Sequence, residues 1–127
     1  MSKKILVVED DTSLVNLLQH RLKKMGYNVM YAYDGYTGLK LAQKENPDLI
    51  VLDVLLPKIN GYKICRLLKF DEKYKHIPII MLTSREGKSQ QELGKQTGAD
   101  QYVLKSDRRN PLLKLIRMYL EPKSIQN

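Results

Sequence analysis

Four short aliphatic runs punctuate the chain, and each ends on a polar residue. Ile5-Leu6-Val7-Val8 leads into Glu9-Asp10-Asp11, and Leu49-Ile50-Val51-Leu52 leads into Asp53. Ile79-Ile80-Met81-Leu82 leads into Thr83-Ser84, and Tyr102-Val103-Leu104 leads into Lys105. Runs this short and this rich in branched side chains predict strands buried on both faces. Between them the apolar period lengthens to that of a helix. Leu14, Leu17, Leu18, Leu22 and Met25 recur on one helical face behind a capping Asp11 or Thr12, and Gly26 closes that segment. A further strand is expected over Asn28 to Ala32, then a turn at Asp34-Gly35 and a helix over Tyr36 to Lys44 that Asn46-Pro47 stops.

The same alternation continues to the end of the chain. Asn60 caps a helix carrying Ile64, Leu67 and Leu68, with Cys65 as a small buried hydrophobe. Pro78 is tolerable only at the beginning of the fourth strand. Asn110-Pro111 opens a last helix that buries Leu112, Leu115, Ile116, Tyr119 and Leu120 before Pro122. A helix between Ser89 and Gly98 has only Leu93 as a large apolar residue and contains Gly94, so it is expected to be the least stable and most mobile element. Strands alternating with helices predict an α/β, three-layer domain whose parallel sheet is covered on both faces.

Composition narrows this reading without redirecting it. With 127 residues, 43% hydrophobic and 28% charged, the chain suits one globular domain. Residues 1–121 are expected to form it, and 122–127 a short tail. The early apolar stretch is too short for a signal peptide or a membrane span, so no membrane association is expected and the cytoplasm is the default location. One cysteine excludes an internal disulfide framework, and two histidines make zinc improbable. The formal net charge is +8, yet the first 57 residues are balanced, so the excess lies beyond them. Such a surface attracts an acidic partner or nucleic acid, or is simply a solvated face.

In an open parallel sheet the carboxyl ends of the strands meet along one edge, where such sheets bind ligands. That edge would collect Glu9, Asp10, Asp53, Thr83 and Lys105. Asp53, at the end of the most apolar strand, can act as a nucleophile toward phosphorus; alone, it equally suits a loop cap. Glu9 and Asp10 crowd it with negative charge, which a divalent cation relieves. Mg²⁺ prefers a few carboxylates, waters and phosphate oxygens, and would also neutralise an incoming phosphoryl group. Otherwise these acids are solvent-facing loop residues. Lys105 can pair with Asp53 and then with a phosphate oxygen, to which the Thr83 hydroxyl can also donate.

The motifs Leu6-Val7-Val8-Glu9-Asp10-Asp11, Leu52-Asp53-Val54-Leu55-Leu56-Pro57-Lys58-Ile59-Asn60-Gly61, Met81-Leu82-Thr83-Ser84 and Gly98-Ala99-Asp100-Gln101-Tyr102-Val103-Leu104-Lys105 together resemble the receiver domain of two-component response regulators. The resemblance runs from about Lys3 to Leu120. It implies a flavodoxin-like, doubly wound sheet of five parallel strands in the order 2-1-3-4-5 with five helices. It further implies phosphoryl transfer to Asp53 from the phosphohistidine of a sensor histidine kinase or phosphotransfer protein. Mg²⁺ (or Mn²⁺) would be held by Glu9, Asp10, Asp53 and the main-chain carbonyl of Leu55. Thr83 and Lys105 would bind phosphoryl oxygens, and Thr83 with Tyr102 would switch the surface shown to a downstream protein. Nucleic acid would be a partner only if the chain is cut from a DNA-binding regulator.

Ser106 departs from the proline usual after the lysine, where the peptide bond is often cis. A cis bond before serine costs roughly 2.5–4 kcal/mol; the need for Lys105 to reach the site nevertheless favours cis here. Two other classes remain. An aspartyl phosphatase needs a general acid two residues after its nucleophile, a position held by Leu55. A flavin or nucleotide binder needs amides, hydroxyls or glycines where this chain has three acids. A receiver-like module that binds partners without phosphorylation is a further alternative, supported by Ser106.

Overall fold

The computed structural model describes residues 2–84, 96–106 and 110–121. Five strands, β1 (Lys4–Val8), β2 (Asn28–Ala32), β3 (Leu49–Asp53), β4 (Ile79–Thr83) and β5 (Gln101–Leu104), form one parallel sheet in the order β2-β1-β3-β4-β5. The expected strand order is therefore observed. Among the described residues the helices are α1 (Thr12–Lys24), α2 (Gly35–Glu45), α3 (Gly61–Lys69) and α4 (Leu112–Leu120). The helix expected between Ser89 and Gly98, and its mobility, lie for the most part outside the described residues, as does the tail at 122–127.

Side chains of one strand point alternately to opposite faces, and that alternation divides the core in two. Ile5, Val7, Leu49, Val51, Ile80, Leu82 and Val103 meet Val15, Leu18 and Leu22 of α1 and Leu112, Ile116 and Leu120 of α4. Leu6, Val8, Ile50, Leu52, Ile79 and Met81 meet Ala42 of α2 and Ile64, Cys65 and Leu68 of α3. Every residue of β3 and β4 is buried, at about 1.5–3 kcal/mol for each large aliphatic side chain relative to exposure. These strands are thereby fixed between two helical layers, and their ends are rigid supports.

Caps settle where the helices begin and end. Asp11 Oδ1 accepts from the amides of Ser13 at 3.0 Å and Leu14 at 3.3 Å, which makes Asp11, not Thr12, the cap of α1. Gly26 follows with φ 96°, a left-handed conformation that a side chain resists. Asp34 Oδ1 caps α2 through the Thr37 amide. Asn110 Oδ1 accepts from Leu112 N at 3.1 Å, so the expected Asn-Pro helix start operates as a cap just ahead of α4. Two expected core positions differ: Leu17 and Leu67 are exposed, because the faces turned to the sheet are narrower than the apolar stripes in sequence. Tyr119 is also partly exposed, its hydroxyl accepting from Gln101 Nε2 at 3.1 Å.

Candidate functional site

The sheet register brings the polar strand ends together. Glu9 extends the β1 pairing, its amide donating to the Ala32 carbonyl at 3.0 Å, and its side chain is only 1% exposed. Asp53 ends β3 opposite Leu82 and is 4% exposed. Thr83, the next residue on β4, is buried, and its carbonyl accepts from Lys105 N at 2.7 Å. Lys105 thus leaves β5 beside the end of β4, from which its long side chain crosses to the acids.

Gly61 supports this arrangement from behind. Its amide donates to the Val54 carbonyl at 2.8 Å, and a Cβ on it would collide with the carbonyl oxygen of Asp53. The turn after β3 can therefore fold back onto the strand only if the first residue of α3 has no side chain. Asn60 holds the same junction by accepting from Lys63 N at 3.0 Å. Lys58, within the loop, takes φ 73°.

Carboxylate oxygens of Glu9, Asp10 and Asp53 all lie within 4.8 Å of one another. Lys105 Nζ stands 2.6 Å from Glu9 Oε1 and 3.5 Å from Asp53 Oδ1. Burial pushes the Asp53 carboxyl up to about 7, reinforced by the negative charge of Glu9 and opposed by the ammonium of Lys105. The Lys105 ammonium is itself held above the ordinary lysine range: burial pulls it down, but Glu9 and Asp53 outweigh that. Among the described residues, three carboxyl groups therefore face the Lys105 ammonium.

The residues fit a hard divalent cation. Glu9 Oε1 is buried, and its close partner among the described residues is the Lys105 ammonium. Asp10 is exposed and faces the same point, and an all-oxygen donor set suits Mg²⁺ or Mn²⁺. Asp11 is differently engaged, since its carboxylate caps α1 and its amide donates to Glu9 Oε2 at 3.0 Å.

The expectation of a cis bond between Lys105 and Ser106 is corrected. No cis peptide bond occurs among the described residues, and Lys105 still reaches both acids. The four-carbon lysine stem spans the gap, so the backbone avoids the cost of cis before serine. Tyr102 packs against the core cluster on the α2 and α3 side, its hydroxyl buried without a hydrogen bond among the described residues. Leu55, two residues beyond Asp53, leaves its side chain exposed. Sequence reasoning did not identify Glu9 as the nearer partner of Lys105; the signal available was a glutamate continuing a fully buried strand. Cys65 is buried as expected, and burial pushes its thiol up to about 11, which leaves it unreactive.

Fold and site define a class. Residues 5–117 match the response regulator receiver domain, and the chain belongs to that family. It is 48% identical over 105 residues to the alkaline phosphatase synthesis transcriptional regulatory protein PhoP of Bacillus subtilis, a match covering 83% of this chain and 43% of PhoP. Chemotaxis protein CheY4 of Vibrio cholerae superposes with a TM-score of 0.85 at 32% identity, over 94% of this chain and all of CheY4. The BeF3-activated DrrB receiver domain gives 0.84 at 32% identity, over 96% of this chain and 100% of its own. Such domains are phosphoacceptor switches of two-component signalling, not turnover enzymes. Among the described residues no helix is long and apolar enough to cross a membrane.

Proposed function

We propose that Asp53 is the phosphoacceptor and that residues 1–121 act as a switch driven by its modification. The observation carrying this is the placement of Asp53: buried at the end of a rigid strand, flanked by Glu9 and Asp10, with Lys105 Nζ 3.5 Å away. An Asp53 oxygen attacks phosphorus of a phosphohistidine, the phosphorus–nitrogen bond breaks, and the imidazole leaves with its electron pair and takes up a proton. Lys105 and the Thr83 hydroxyl bind the phosphoryl oxygens. Glu9, Asp10, Asp53 and the Leu55 carbonyl would hold Mg²⁺ or Mn²⁺, which when bound would neutralise charge on the phosphoryl group. The donor is a sensor histidine kinase or phosphotransfer protein, and hydrolysis of the acyl phosphate is the only other reaction expected.

Output follows from the new dianion. It draws the Thr83 hydroxyl toward itself, and Tyr102, on β5 beside Thr83's strand, turns to fill the space released. The recipient of the changed surface is a protein. Phosphatase turnover is not supported, since Leu55 cannot protonate a leaving group. Adding beryllofluoride and Mg²⁺ tests the reading: amide resonances of Asp53, Thr83 and Lys105 should shift together, and no response in the folded protein would overturn it.

A further inference from the structure

Helix α3 buries one apolar face in the core and turns a second, mixed apolar and basic face outward. Gly61, Ile64, Cys65 and Leu68 face inward and are buried. Lys63, Arg66 and Leu67 form a second stripe along the helix, which the C-cap residue Phe70 continues just past its end, and all four are exposed. Leu67 is 46% exposed and Phe70 is 73% exposed. A scattered surface leucine needs no explanation, but two large apolar side chains in register with two cations are a patterned surface. Beside them lies a shallow groove of about 460 Å³ lined by Asn60, Tyr62, Lys63, Arg66 and Leu67.

Among the described residues, no ion pair compensates the charge on this stripe. Helix α3 has no acidic residue. Neighbouring cations are engaged: Lys69 Nζ pairs with Asp100 at 2.9 Å, and Lys75 pairs with Glu72 at 2.9 Å. Lys69 is turned inward, donating also to the carbonyls of Lys75 and Ile77, so it does not belong to the exposed basic face. Lys63 and Arg66 make no ion pair among the described residues. We infer that the Lys63–Arg66–Leu67–Phe70 face of α3 docks an acidic amphipathic helix of another protein. Its apolar residues would cover Leu67 and Phe70, and its carboxylates would pair with Lys63 and Arg66. A helix laid on a helix matches the four-position spacing, and an acidic partner matches the unpaired charge.

The surface does not depend on the role of Asp53, so Asp53→Asn should leave it intact. The test uses the full chain labelled with nitrogen-15 and four probes: a synthetic helical peptide with Leu and Phe on one face and Glu on both flanks, its scrambled counterpart, phosphatidylglycerol vesicles, and a single-stranded oligonucleotide. The helical peptide is expected to shift the amides of Lys63, Arg66, Leu67 and Phe70 more than any others. Combined Lys63→Glu and Arg66→Glu should weaken it by about tenfold or more, and Leu67→Ser with Phe70→Ser likewise. The Lys63→Glu, Arg66→Glu protein should instead bind a peptide carrying Lys in place of Glu. All four side chains are exposed, and an unchanged spectrum elsewhere establishes that the variants fold. Absence of peptide binding at millimolar concentration, equal binding of the scrambled peptide, or stronger binding of vesicles or oligonucleotide through the same residues would each overturn the inference.

Discussion

Lys105 stands nearer to Glu9 than to Asp53: its ammonium is 2.6 Å from Glu9 Oε1 and 3.5 Å from Asp53 Oδ1. It therefore supplies positive charge to the same oxygens that a divalent cation would use. A divalent cation would therefore compete electrostatically with Lys105 for one cluster of acids. A phosphoryl group on Asp53 would give the lysine a better partner.

Replacing Lys105 by Met should therefore have opposite effects on two measurements. Divalent affinity at pH 8 is expected to rise about tenfold, because a neighbouring positive charge is removed while the three carboxylates remain. Phosphate uptake should fall sharply, since the phosphoryl oxygens lose their ammonium. Metal titration followed by amide shifts checks the first, and acetyl phosphate labelling checks the second. Equal or weaker metal binding would contradict the competition.

The Asp53 carboxyl sets a pH dependence of known sign. Its value is about 7 in the fold against an ordinary 3.8. Between those values the folded protein binds more protons than the unfolded chain. The contribution to stability is present at low pH and is lost as pH rises from about 4 through about 7. Without metal, Asp53→Asn should be more stable than the parent at pH 8 by on the order of 1–3 kcal/mol, and close to it at pH 4. Denaturant midpoints at both pH values measure this, and Mg²⁺ should narrow the gap at pH 8 by stabilising the parent alone. A gap independent of pH would contradict the assignment.

Gly61→Ala tests the support beneath Asp53. The added methyl would meet the Asp53 carbonyl and crowd the Val54 backbone. Because main chain, not a flexible side-chain tip, must yield, the expected loss is about 2–4 kcal/mol. Phosphorylation should slow even at temperatures where the variant stays folded. Thermal unfolding with labelling rates checks both, and a change below about 0.5 kcal/mol would show that the junction can relax.

Tyr102 carries a buried hydroxyl with no hydrogen bond among the described residues. Tyr102→Phe removes an unsatisfied polar atom while retaining the ring, so the unphosphorylated protein should gain about 1 kcal/mol. Denaturant unfolding measures it. A loss of comparable size would reveal a partner that the hydroxyl finds in solution.

The strands were legible because short aliphatic or β-prone runs alternate with helical segments and turn residues. Asn28–Ala32 and Leu49–Asp53 are observed with the boundaries expected from sequence. Helical faces were less legible. Leu17 and Leu67 extend apolar stripes that the sheet does not cover, while Val15, not expected in the face of α1, is buried. Periodicity records which residues share a side of a helix, but the width of the contact depends on the partner layer. Lys69 shows the same limit for charge: a lysine of the basic excess beyond residue 57 turns inward to meet Asp100 and two carbonyls.

The site was legible as a set because its members end separate strands, and parallel register carries strand ends to one edge. Its internal pairing was not. Which acid Lys105 approaches is set by the path of its side chain, and the cis bond expected before Ser106 is absent. Asp11 likewise looks like a third acid of the Glu9-Asp10-Asp11 run until its hydrogen bonds show it capping α1.

Chemical mapping of the acyl phosphate bears most directly on the central claim. The protein is phosphorylated with acetyl phosphate and Mg²⁺, reduced with borohydride to convert a phosphorylated aspartate into homoserine, digested, and read by mass spectrometry. Conversion is expected at position 53 and should disappear when Mg²⁺ is withheld. Homoserine at position 10 or 11, or conversion indifferent to the cation, would contradict the idea that this pocket of acids and one amine exists to load Asp53.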